Sequence, residues 1–127
     1  MDEQQYHEEL IKGISKEQKL ILDKSPQAIY IYFDDNHKVC NKKFADLLGY
    51  NSPAEWAKTN APLADVEEKD QQMVIEAYGK ASEKLIANKL DIRFRHVKTN
   101  KIIKASLVMV PIMFSGHVFV IHFLDRS

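Results

Sequence analysis

The hydrophobic period of this chain changes three times, and the order of those changes limits the folds open to it. Residues 2–23 carry Leu10, Ile11, Ile14, Ile21 and Leu22 at helical spacing, with charged residues on the opposite side. From Ala28 to Phe33 every residue is apolar or aromatic, most of them β-branched or ring-bearing, and Asp34-Asp35-Asn36 closes the run, which is the pattern of a strand entering a turn. His37 to Cys40 supplies a short partner strand, so a hairpin is expected. Helix-start signals then dominate until about Asn88. Beyond them Leu90, Ile92 and Phe94 alternate with Asp91, Arg93 and Arg95, Thr99-Asn100 leads into an extended run from Ile102 to Phe114, and Ser115-Gly116 turns the chain into Val118 to Leu124.

Each middle helix has its own start. Asn41 is placed to cap a helix running through Leu48, with Gly49 at the left-handed exit. Ser52-Pro53-Ala54-Glu55 combines a capping serine, a proline at the first helical position and a glutamate able to return to the cap, ahead of Trp56. Asp65-Val66-Glu67-Glu68 repeats that box before a longer helix whose stripe is Val66, Val74, Ala77, Tyr78, Ala81 and Leu85. The order helix, two strands, three helices, three strands predicts an α+β fold: one five-stranded antiparallel sheet, the first hairpin beside the final meander and the middle helices over one face. Strands 102–114 and 118–124 are apolar on both sides, so the other face also needs cover, from the N-terminal helix or from a second subunit. That helix has an imperfect stripe, with Glu17 and Gln18 at apolar positions and Gly13 costing about 1 kcal/mol. Ser25-Pro26 ends it. The expected organisation is a helix over 1–24 and a domain over 25–127, with the helix stripe pairing two chains into a homodimer in preference to covering its own sheet.

Composition excludes several function classes. With 127 residues, one domain is expected. Eighteen basic residues cancel eighteen acidic ones, so no net field draws the chain to nucleic acid or to an anionic membrane. The acidic N-terminus and the lack of an apolar run near 20 residues argue against a signal peptide or a spanning helix, and a cytoplasmic location is expected. Cys40 is the single cysteine, which rules out an intrachain disulfide framework and a multi-cysteine zinc site.

Catalytic signatures are missing. The four glycines, Gly13, Gly49, Gly79 and Gly116, are scattered singly, so there is no phosphate-binding loop. No nucleophile motif surrounds Cys40 or any serine, and Glu67-Glu68-Lys69-Asp70 reads as a solvated helical turn. His7, His37, His96, His117 and His122 form no two-histidine spacing on one helix, so no metal is expected. The chain is therefore expected not to be an enzyme. An isomerase- or hydratase-like activity is the alternative, needing His122 or a tyrosine as acid or base. A protein-interaction domain using the 102–114 face without ligand is another.

At the level of longer motifs the chain resembles the PAS sensor-domain family. SPQAIYIYFDDNHKVCNKKFADLLGYNSPAEW is similar to that family's opening hairpin, its asparagine-led helix ending in Leu-Gly-Tyr and the Ser-x-x-Glu start of the next helix. LDIRFRHVKTNKIIKASLVMVPI looks like its pair of long strands, and FLDRS like a variant of its closing Asp-Ile-Thr signature. Thr99-Asn100 stands where the family often has Asp-Gly, and LADVEEKD lacks the His-Pro-x-Asp of many members. The resemblance implies a signal-input module, of the kind found in two-component systems and transcription regulation. Such a module senses a small ligand, redox state or partner and passes a conformational or dimerisation change to an effector, such as a histidine kinase, outside this chain. The chain ends three residues into the closing signature, as an excised domain or a short stand-alone sensor would. Parity and resemblance together predict a cavity between the inner sheet face and the middle helices, lined by Ile31, Phe44, Leu48, Tyr78, Ile92, Phe94, Leu107 and Met109. Tyr30, Tyr32, Ser106 and His122 would add polar contacts, which suits a small apolar or aromatic ligand. No cofactor is identified. Histidine-ligated heme is disfavoured because no histidine lies between His37 and His96, and flavin–cysteine photochemistry because Cys40 precedes the helix instead of lying in it.

Overall fold

The computed structural model describes residues 2–60 and 62–127. Five strands form one antiparallel sheet in the order β2-β1-β5-β4-β3: β1 (Ala28–Asp34), β2 (His37–Cys40), β3 (Asn88–Arg95), β4 (Ile102–Phe114) and β5 (His117–Arg126). The hairpin of β1 and β2 joins the meander through β1 and β5, as the two strand blocks predict. Ser115 and Gly116 both take positive φ (52° and 78°), the backbone a tight turn between β4 and β5 requires.

The helices form where their caps stand. Asp2 accepts from the Gln5 amide and Gln5 returns to the Asp2 amide, opening α1 (Glu3–Glu17). Gln18 breaks the regular helix and α2 (Lys19–Lys24) continues it, so the expected single helix has two parts, divided where polar residues interrupt the stripe. Asn41 caps α3 (Lys42–Leu48) through the Phe44 amide, and Gly49 exits at φ 91°. Ser52 caps α4 (Pro53–Ala57), although Glu55 bonds the Asn51 amide, one residue before the cap.

The box expected at Asp65 does not start a helix. The chain makes two 3-10 turns, Leu63–Asp65 and Glu68–Asp70, and α5 runs from Gln71 to Lys84. Competing partners explain the difference. Asp65 accepts from the Tyr50 hydroxyl at 2.6 Å, Val66 bridges to Phe94, and Asp70 takes the Arg93 guanidinium in a fork at 2.8 and 3.0 Å. Leu85 turns left-handed at φ 58° and is exposed, so the helical stripe stops at Ala81.

Two apolar layers result. On the inner face α3, α4 and α5 enclose Tyr30, Phe44, Leu48, Trp56, Phe94, Leu107 and Met109 against the sheet. On the outer face Leu10, Ile14 and Leu22 pack on Ile29, Ile31, Phe119 and Ile121. The N-terminal stripe thus covers its own sheet, and the surface on which a homodimer through that stripe was expected is buried within one chain. Burying each such side chain is worth about 1.5–3 kcal/mol, which holds in place a helix that would be marginal alone. Among the described residues no helix is long and apolar enough to cross a membrane.

Candidate ligand cavity

Alternation along β1 decides what faces the helices. Tyr30 and Tyr32 point inward while Ile29, Ile31 and Phe33 point to α1, and the pairing of Tyr30 with His122 on β5 sets two rings side by side on the inner face. Those rings stack with centroids 3.9 Å apart and planes 12° from parallel. Tyr78 of α5 lies parallel to His122 at 6.4 Å, and Tyr32 meets Tyr78 edge-on at 5.2 Å. These four side chains form one side of a cavity of about 420 Å³, whose other walls are Asp35, the segment of Asn60, Pro62, Leu63 and Ala64, and Gln71, Val74 and Ile75 of α5.

The tyrosines and the histidine of the cavity are neutral near pH 7. His122 is 2% exposed and its Nδ1–H donates to the Val120 carbonyl at 3.0 Å, which leaves Nε2 as the acceptor of an uncharged ring. Burial pulls its pKa down to about 3. Burial likewise pushes the Tyr30 hydroxyl well above its ordinary range and Tyr78 up to about 12, the latter helped by the charges of Asp34 and Asp35. Tyr32 is raised first by burial and then by donating to Asp35 Oδ1 at 2.6 Å. Asp35, exposed at the turn, supplies a carboxylate beside the cavity.

Lys38 positions the loop wall. It is 4% exposed, and its ammonium donates to the Thr59 carbonyl at 2.6 Å, to the Ala57 carbonyl at 3.2 Å and to the Asp35 carbonyl, while lying 5.3 Å from the Trp56 ring centre. Burial lowers its pKa, and Asp35 and Asp34 oppose that shift. From the other side Gln71 donates its amide to the Leu63 and Val66 carbonyls, pinning the same segment to α5.

Of the expected lining residues, Tyr30, Tyr32, Tyr78 and His122 border the cavity. Phe44, Leu48, Ile92, Phe94, Leu107 and Met109 do not: all are 0–2% exposed within the packed core. Trp56 is the reason. Fully buried, it meets Phe44 edge-on at 5.1 Å and reaches Tyr30 at 5.5 Å, filling the α3–α4 end of the inner face and leaving space only toward α5. Ile31 and Ser106 lie on the outer face, Ile31 under α1 and Ser106 bonded to Asp91. Lys38, Gln71, Val74 and the wall of Asn60, Pro62, Leu63 and Ala64 are not among the expected residues. Gln71, Val74, Ile75 and Tyr78 fall at i, i+3, i+4 and i+7, a helical face that spacing alone could have singled out; nothing distinguishes a lone lysine.

No protein-family model matches the sequence, and no curated protein does. Solved structures do. A PAS domain of a protein from Colwellia psychrerythraea superposes with a TM-score of 0.69 at 18% identity, covering 90% of this chain and 97% of that one. A PAS domain from a two-component sensor histidine kinase gives 0.66 at 13%, covering 91% and 98%. The N-terminal domain of a diguanylate cyclase with PAS/PAC sensor from Marinobacter aquaeolei gives 0.63 at 19%, covering 78% and 94%. At these identities the likeness establishes the fold.

Proposed function

From the premise that this chain has the PAS fold, we propose that it is a signal-input module that binds a small, neutral, ring-bearing molecule in the cavity beneath Tyr30, Tyr78 and His122. Binding shifts the β1–β2 hairpin and the N-terminal helix, and that shift is the output passed to an effector. The observation that carries the reading is the cavity itself: about 420 Å³, walled by four aromatic rings and by a loop segment tied down through Lys38 and Gln71. Neutral tyrosine hydroxyls and a neutral imidazole favour an uncharged ligand carrying a hydrogen-bond donor for His122 Nε2.

Output follows from β1 having two faces. Tyr30 and Tyr32 touch the cavity, while Ile29, Ile31 and Phe33 in the same strand hold the N-terminal helix. A ligand that displaces Tyr32 from Asp35 acts on the turn that Lys38 also grips. The stripe of α1 and α2 lies on its own sheet, so the signal is read as helix displacement, with effectors of the histidine-kinase or cyclase kind as candidate partners. Proton-transfer catalysis is the weaker reading, since neither His122 nor Tyr30 titrates near neutral pH.

Native mass spectrometry and an absorption spectrum of freshly purified protein, followed by titration with indole and phenol as neutral aromatic probes, test this. Saturable one-to-one binding that Val74→Phe abolishes is expected. Absence of any retained molecule together with no probe binding, or binding indifferent to Val74→Phe, would overturn it.

A further inference from the structure

A second cluster lies on the outer face, where the N-terminal helix crosses the hairpin turn. His7 of α1, Asp34 at the end of β1 and His37 at the start of β2 bring one ligand atom each to within 4.8 Å of one another. Asp34 joins them: Oδ1 is 2.6 Å from His37 Nδ1 and Oδ2 is 3.4 Å from His7 Nδ1. Packing fixes both rings. His7 stands edge-on to Phe33 at 4.8 Å and to His37 at 5.4 Å, and His37 is 3% exposed. On the far side of the His7 ring, Glu3 lies 3.8 Å from Nε2, one helical turn away, which directs Nδ1 toward Asp34. His37 Nε2 is buried without a hydrogen-bond partner among the described residues, so the ring's hydrogen bonding rests on Asp34.

We propose that His7, Asp34 and His37 bind one divalent transition-metal ion of the zinc class, fastening the N-terminal helix to the hairpin. Two imidazoles and one carboxylate are a donor set that such ions favour over calcium or magnesium. Bonds of about 2.0–2.1 Å place neighbouring tetrahedral donors about 3.3 Å apart. Asp34 Oδ2 already stands 3.4 Å from His7 Nδ1, and the Oδ1–His37 Nδ1 hydrogen bond gives way when the ion takes the place of its proton. A carboxylate behind a ligating histidine, as Glu3 stands behind His7, is the usual orienting partner. With three protein ligands, the fourth position is open to water. The ion therefore joins two elements that otherwise meet through apolar packing and the single His7–Asp34 contact, and its occupancy sets how firmly the helix is docked. The site is separate from the aromatic cavity, on the opposite sheet face, and stands or falls independently of it.

Calorimetric titration of the full chain with ZnCl2 at neutral pH, paired with thermal denaturation, tests the assignment. One equivalent is expected to bind and to raise the melting temperature. Losing an orienting partner alone costs about 10- to 100-fold in metal affinity, so His7→Gln, which removes a ligand, should weaken binding at least tenfold and erase the thermal shift. His117→Gln, outside the cluster and bonded to Tyr6, should bind as the unaltered chain does. Should His7→Gln lose its fold, Asp34→Asn, which keeps an acceptor for the Asn36 amide, gives the same reading. No binding by the unaltered chain, or equal binding by these two variants, overturns the proposal.

Discussion

Single side chains carry the parts of this fold that are least forgiving. Asn41 is 5% exposed and saturates three backbone groups: Oδ1 accepts from the Phe44 and Ile29 amides at 3.0 Å each, and Nδ2 donates to the Gln27 carbonyl at 2.9 Å. Asn41→Ala removes the α3 cap and strands two strand-end groups, so urea unfolding should show a loss of about 2–4 kcal/mol; a loss no larger than that of an exposed cap would contradict the shared role. Gly49 is equally constrained, since a Cβ there would sit 2.3 Å from the His96 ring at φ 91°. His122 predicts a pH dependence. Its folded pKa near 3 lies below its ordinary value of 6.5, so the unfolded chain binds more protons between those values. Its stabilising contribution is full above pH 6.5 and falls as pH drops, by about 1.4 kcal/mol per unit. Asp65 acts with the opposite sign, because burial raises its carboxyl and protonation favours the folded form. Comparing denaturation from pH 7 to 5 with His122→Gln isolates the histidine: the variant should lose the downward slope, and identical slopes would refute the assignment.

At the scale of elements, the N-terminal helix and the long helix test how local signals compete with packing. Asn41, Ser52 and Gly49 act where the sequence analysis places them because each stabilises backbone within its own turn. Asp65 fails as a helix start because Tyr50, 15 residues earlier, takes its carboxylate, a contact that no local pattern encodes. The N-terminal stripe was legible, but not its partner: apolar spacing states that a face must be covered without stating by what. Here Leu10, Ile14 and Leu22 cover Ile29, Ile31, Phe119 and Ile121, each of those four 0–4% exposed. A chain beginning at Ser25 should therefore bind a hydrophobic dye, melt at lower temperature and self-associate in light scattering. A dye-silent monomer of unchanged melting temperature would show that the helix is dispensable cover.

Across the whole molecule, strand order and the inner-face core followed from periodicity, because alternation fixes which residues share a face once the hairpin is placed beside the meander. The cavity followed only in part. Tyr30, Tyr32 and His122 stand out by chemistry, but the parity expected along β1 is reversed, since Ile31 faces the N-terminal helix and the two tyrosines face the cavity; Phe44, Leu48, Ile92, Phe94, Leu107 and Met109 are consumed by the packed core around Trp56, and a void is a property of how side chains fill space, not of the order in which they occur. The two sheet faces are linked through β1, whose alternate residues meet the cavity and the N-terminal helix. Amide hydrogen exchange of the full chain, with and without saturating indole, examines that link directly. Occupancy of the cavity should change protection both at its walls and at α1 amides around Leu10 and Ile14, whereas a change confined to β1, β5 and α5 would leave a binding pocket with no route to an output.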